Sequence, residues 1–185
     1  MIADLKNSSK IEANLTNFDL SSLMNSFYVL DIYKANGNME LSYDLSKNTG
    51  FANLNLLDGG FKKSPIINAI SLVLGKDLTR DSFQTAKMNA NINKENIDFN
   101  LDMKSNYSDI NIKNANVNTN SGYLNIPFSA NIDKIDFKGR IKGTMENPKV
   151  NIDARSVLKT IKNIFGKKEE EKPKEKIDKL LKKIF

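Results

Sequence analysis

The side chains able to carry chemistry here are carboxylates, lysines and tyrosines, because the 185 residues include no histidine, cysteine or tryptophan. Without His or Cys there is no Ser-His or Cys-His pair, and the usual zinc ligand sets are excluded. Carboxylate, Lys or Tyr acid–base work is what remains. Asp98, Asp102, Asp109, Asp133 and Asp136 are the carboxylates one would pair for hydrolysis. Four of them fall in the polar register of alternating segments, the position of a solvated side chain. Neither common glycine-rich phosphate loop is present. The reading is therefore of a protein that is not an enzyme and needs no metal and no cofactor. The missing thiols exclude disulfides and leave the redox compartment open.

The apolar side chains are more informative. They make up 39% of the chain, enough for a modest core, and they alternate. Ile11, Ala13 and Leu15 interleave with Glu12, Asn14 and Thr16, and Met39, Leu41, Tyr43 and Leu45 with Glu40, Ser42 and Asp44. The same period runs through Ala52, Leu54 and Leu56, through Met88, Ala90 and Ile92, and through Ile97, Phe99, Leu101 and Met103. Ile110 and Ile112 continue into Ala115 and Val117 after a slip. Leu124, Ile126, Phe128, Ala130 and Ile132 come next, then Ile135, Phe137, Ile141, Val150 and Ile152. Strand side chains alternate between faces, so each run specifies one apolar and one polar sheet face. Turn chemistry at Asn36-Gly37, Asp58-Gly59-Gly60, Asn93 to Asn96, Ser121-Gly122 and Asn147-Pro148 divides the runs. Connections this short predict a mostly antiparallel sheet of roughly eight to ten strands.

Three helical interruptions are predicted. Asp19 is placed to cap a segment near 20–31 through Leu20, Leu23, Met24, Phe27 and Leu30. Ser64-Pro65 starts a second near 65–74, with Ile66, Ile67, Ile70 and Leu74 on one face and Gly75 at the stop. The third follows Asp153. Val157, Leu158, Ile161, Ile164 and Phe165 form an apolar stripe in an amphipathic helix over 155–166. A charged linker spans 167–175. Ile177, Leu180, Leu181, Ile184 and Phe185 then repeat the stripe over 176–185, flanked by Lys179, Lys182 and Lys183.

Charge is divided unevenly between these parts. Of the 28 basic and 22 acidic residues, 11 and 5 lie in 155–185, which leaves 17 of each in 1–154 and places the whole net charge of +6 in the tail. A basic tail on a neutral body predicts an anionic partner for the tail. Short basic amphipathic helices fit a membrane surface, where each Lys near anionic headgroups adds about 1 kcal/mol. Nucleic acid is not expected, since the tail interleaves acids and lacks an aromatic stacking series. No stretch approaches the ~20 apolar residues of a membrane-spanning helix. Ile66 to Leu74 is too short and is broken by Asn68 and Ser71. Met1-Ile2-Ala3-Asp4 meets charge at once and does not read as a signal peptide.

The stretch Gly122 to Leu158 resembles the C-terminal region of the AsmA family (AsmA/TamB-type envelope proteins). It carries a strand ending Ile141-Lys142-Gly143-Thr144, a turn Glu146-Asn147-Pro148-Lys149, and a strand Val150-Asn151-Ile152-Asp153 leading into a helix. Leu15 to Leu23, Gly75-Lys76-Asp77-Leu78 through Phe83, and Met88 to Met103 extend the likeness over nearly all of residues 10–160. The resemblance implies a curved sheet forming an open groove, a partial barrel with an apolar interior, over 1–154. It implies attachment to the inner membrane of Gram-negative bacteria, a reach into the periplasm, and phospholipid movement toward the outer membrane. It also implies that this chain is a fragment whose N-terminal membrane anchor and most of whose groove are missing.

Together these readings give expectations for a site and its partners. The groove floor is expected at Ile97, Phe99, Leu101, Met103, Ile110, Ile112, Leu124, Ile126, Phe128 and Ile132. The membrane-surface residues are expected in the two tail stripes and their lysines. Phospholipid, an anionic membrane surface and an envelope protein are the expected partners. The alternative is a structural or assembly protein of the envelope acting through strand pairing and membrane docking. A closed core, with the internal helices sealing the apolar face, would remove the groove altogether.

Overall fold

Alternation of this length can be satisfied only by strands that share one apolar face, and the described residues form nine of them. They are β1 (Lys10–Asp19), β2 (Tyr33–Asp44), β3 (Thr49–Phe61), β4 (Phe83–Asn93), β5 (Asn96–Lys104), β6 (Ser108–Asn118), β7 (Tyr123–Ile132), β8 (Ile135–Thr144) and β9 (Pro148–Ile152). Helix α1 (Leu20–Ser26) joins β1 to β2, and a 3-10 turn (Leu78–Arg80) precedes β4. The computed structural model describes residues 9–26, 31–64, 67–68, 70–71, 76–132 and 135–153. Readings placed on Phe27, Leu30, Pro65, Ile66, Leu74, Gly75 and Asp133, and on the tail from Ala154 to Phe185, lie outside those residues.

The sheet order is β1 to β9 without a crossover, and every neighbouring pair is antiparallel. The result is a curved meander that is not closed into a barrel, with β1 and β9 as its edges among the described residues. The predicted turns at Asn93 to Asn96, Ser121-Gly122 and Asn147-Pro148 are where the chain reverses. Gly143 takes φ 109°, and Asn147 N–H donates to the Thr144 hydroxyl at 3.2 Å in the last of these.

Two predicted turns are corrected. Asn36-Gly37 lies inside β2, where Gly37 pairs with Phe18 on one side and Leu56 on the other. A Cβ at Gly37 would strike the Asn55 carbonyl, so glycine serves close backbone approach there, not reversal. Asp58-Gly59-Gly60 lies inside β3. Asp58 adopts φ 49°, while the Tyr33 ring covers Gly59 so closely that a Cβ would sit 2.5 Å from its hydroxyl oxygen. Turn-type residues in both places bend a strand without ending it.

The direction of each strand sorts the connections onto two ends. Hairpins β2–β3, β4–β5, β6–β7 and β8–β9 lie at one end. The two long crossings, residues 20–32 and 62–82, lie at the other, and both fold onto the apolar face. Asp19 accepts from Ser22 N–H at 2.9 Å and from the Ser22 hydroxyl at 2.6 Å, capping α1 as its spacing predicts. These bonds hold the Asp19 carboxyl below its ordinary range. Ser64 starts the second helical stretch: Ile67 N–H donates to its hydroxyl at 3.3 Å, and Ile67, Asn68, Ile70 and Ser71 are helical.

Candidate functional site

The inner face of the sheet is apolar from β1 to β9. One end of it is capped. Leu20 and Met24 of α1 pack with Tyr33, Ala35, Leu56, Phe83, Ala86 and Met103, and Phe83 is 0% exposed. Ile67, Ile70 and Leu78 of the second crossing pack with Ala130, Ile132 and Phe137. Tyr33, Phe61 and Phe83 brace the join, with Tyr33–Phe61 and Phe61–Phe83 ring centroids at 5.3 and 5.4 Å in edge-to-face geometry.

A polar clamp fastens the second cap. Lys76 Nζ lies 3.1 Å from Asp81 Oδ2, and the Ser108 hydroxyl, 2% exposed, donates to the same oxygen at 2.7 Å. Lys62 pairs with Asp31 beside the first crossing. Two buried polar atoms there find no partner among the described residues, Asp31 Oδ1 and the Tyr33 hydroxyl, and burial pushes the Tyr33 phenol well above its ordinary value.

The caps leave space beneath them, and the far half of the face has no cap among the described residues. Two hollows open onto this trough. One, of about 370 Å³, lies under α1 against β3, β4 and β5, with Leu54, Leu56, Ala86 and Met88 in its wall. The other, of about 230 Å³, lies under Ile67, Ile70 and Leu78 against β5 to β8. Ile32, Phe61, Leu101 and Met103 belong to both.

Of the ten residues expected on the groove floor, Phe99, Leu101, Met103, Ile110, Ile112, Ile126, Phe128 and Ile132 line the second hollow. Ile97 and Leu124 sit one rung beyond it on either side of Val117, toward the hairpin end, where Leu124 is buried. The first hollow went unread as a site. Leu54, Leu56 and Met88 showed the same period as the rest, so the signal was present. Phe61 followed a glycine pair that reads as a turn, and Tyr33 lay outside any run, so neither was legible.

The carboxylates do not converge. Asp98 accepts from Asn116 at 2.8 Å, Asp136 from Asn131 at 2.7 Å, and Asp102 from Asn111. Asp109 stands opposite Lys104 and Asn131. These four occupy the outer face, each beside amides or lysines, as rungs of cross-strand pairs. Asn89, Asn53 and Glu40 form a similar chain across β4, β3 and β2. Among the described residues no cluster of metal-ligating side chains assembles.

Comparison with protein-family models, with curated proteins and with solved structures finds no match for this chain.

Proposed function

We propose that this chain is a non-catalytic lipid-binding segment of an AsmA-like bacterial envelope protein, in which the apolar trough shields phospholipid acyl chains in transit between inner and outer membrane. Its place would be the periplasm, held at the inner membrane by an anchor outside this sequence, with the basic tail against an anionic membrane surface. One observation carries the reading: a trough with apolar walls across β3 to β8, which the described residues cap at one end.

The physical demand is clear. Moving a fourteen-carbon chain into water costs about 11 kcal/mol at ~0.8 kcal/mol per methylene. A carrier must offer those methylenes another apolar surface and keep its own backbone polar groups satisfied. A sheet does both, since its N–H and C=O groups pair in the ladder while one face presents only hydrocarbon. No reactive side chain is required.

The test is extraction of the purified chain followed by mass spectrometry of bound phospholipid, with uptake of a fluorescent apolar probe by the delipidated protein. Phospholipid at about one molecule per chain, displaced by the probe, is expected. A lipid-free, monodisperse chain that takes up no probe would sink the proposal in favour of a closed scaffold.

A second reading, an envelope assembly module, draws on the asymmetry of the edges. β1 offers ten residues without proline, whereas β9 has five and begins at Pro148. Short, proline-bearing edges resist pairing and long ones invite it. A lipid-free chain that self-associates through β1 would favour this reading.

A further inference from the structure

One corner of the inner face, at its hairpin end, is more buried than its own side chains account for. Leu124 on β7 stands directly opposite Gly143 on β8, and Ile141 is the next inward-facing residue along β8. Gly143 offers neither of them a side chain, yet Leu124 and Ile141 are each 6% exposed. Neither belongs to the clusters that the two crossings build. Ile126 and Val150 flank Ile141 across the strands and are only half-buried. Ile126 and Ile141 also border the second hollow, so space lies above them on the side of the crossing. The corner has the burial of a covered surface and no cover among the described residues.

We propose that the chain covers this corner itself, with the stripe Val157, Leu158, Ile161, Ile164 and Phe165 docked on the trough and its basic side turned outward. The exit point and the reach fit. Ile152, the last residue of β9, pairs with Gly139 and packs against the second cluster. Asp153 N–H donates to the Lys138 carbonyl at 2.7 Å, and Val157 follows four residues later. Leu124 lies two strands across from there and about five residues along, a diagonal of about 19 Å at ~4.8 Å per strand and ~3.3 Å per residue. The helix that the sequence predicts over 155–166 would be about 18 Å long.

Charge selects the face. The outer side of β8 and β9 carries Lys138, Arg140, Lys142 and Lys149, which turn a basic helix away. The inner side offers hydrocarbon. A helix this short is marginal in water by itself and gains its order from an apolar surface. Its tether to β9 holds it beside that surface at an effective concentration on the order of millimolar.

The docked stripe competes with any apolar ligand for the hairpin end, so the inference rests on the trough and not on its cargo. On an anionic membrane the same stripe buries in the interface while its basic side meets headgroups. The two placements exclude each other, so the membrane draws the tail off and opens the trough.

The chain has no cysteine, so two introduced thiols report on their own separation. Ile161→Cys with Ile126→Cys should be joined within one chain by a short bismaleimide. Ile161→Cys with Tyr123→Cys, on the outer face of the same strand, should not. Phosphatidylglycerol vesicles should lower the first cross-link by about fivefold, and phosphatidylcholine vesicles should leave it unchanged. Ile161→Asp with Ile164→Asp, made in the full chain, should raise uptake of a fluorescent apolar probe by about threefold or more. Circular dichroism checks that the sheet persists.

No more cross-linking at Ile126 than at Tyr123 overturns the docked tail and leaves the lipid-binding reading intact. So does uptake that the two aspartates leave unchanged in a chain that takes up the probe. A cross-link that persists on phosphatidylglycerol vesicles overturns release by the membrane. Cross-linking at Ile126 in a chain that takes up neither probe nor phospholipid in any variant supports the docked tail and defeats the lipid reading instead.

Discussion

Gly139 shows how a single position shapes the trough floor. An added Cβ would lie 2.7 Å from Phe128 Cζ and 2.5 Å from the Asn151 carbonyl, so the ring rests directly on the β8 backbone. Phe128 in turn forms part of the second hollow. Gly139→Ala is expected to push the ring off its seat and to destabilise the fold by about 1–3 kcal/mol, the usual cost of overpacking. Urea unfolding measures it. Gly60→Ala, whose Cβ would meet nothing closer than the Asp81 carbonyl at 3.2 Å, should cost less. An equal loss at both sites would show that Phe128 is not held by this contact. Gly59 under Tyr33 follows the same logic, an aromatic ring shielding backbone that no side chain covers.

At the scale of the element, bulges keep the strands facing correctly. The slip between Ile112 and Ala115 is a bulge at Asn114, which takes φ 55° while its N–H donates to Asn100 Oδ1 at 2.8 Å. The extra residue returns Ala115 and Val117 to the inner face, where simple alternation would turn them to solvent. It also accounts for a proline in a central strand. Pro127 has no N–H, and pairing between β6 and β7 is interrupted there, between Ile112–Phe128 and Asn116–Asn125. Asn17 in β1 does similar work, placing Leu15 and Phe18 on one face, with its N–H donating to Asn38 Oδ1 at 3.0 Å. Asn114→Val should destabilise by about 1–2 kcal/mol, because a β-branched residue is strained in the left-handed region, whereas Asn114→Gly should be tolerated. Thermal unfolding of the pair separates backbone strain from loss of the side chain; equal behaviour would discard the strain account.

For the whole molecule, the issue is how the apolar face divides between core and surface. The two crossings fold onto one end and build conventional clusters there, while toward the hairpin end Ile97, Ile112 and Ile126 stay half-buried and Ala90, Ala115 and Leu124 are buried. Ile112 is half-buried and stands between Leu101 and Phe128 near the centre of the floor. Ile112→Asp puts a carboxylate among hydrocarbon with no cation paired to it. Uptake of a fluorescent apolar probe should weaken by about tenfold, with the far-ultraviolet dichroism of the sheet retained. Undiminished uptake would place the probe elsewhere on the molecule.

The amino-acid sequence determined the strands, their antiparallel succession, the α1 cap at Asp19, the start at Ser64 and most of the trough floor. It could do so because alternation, capping and turn chemistry act over a few neighbouring residues. Only the tertiary structure decided that Asn36-Gly37 and Asp58-Gly59-Gly60 lie within strands, since their glycines answer to the Asn55 carbonyl and the Tyr33 ring across the sheet. It alone decided that both long crossings share one end, and that Phe61 and Ile32 line both hollows beneath them. Those outcomes depend on strand direction and on contacts between residues far apart in the chain, which no local pattern encodes.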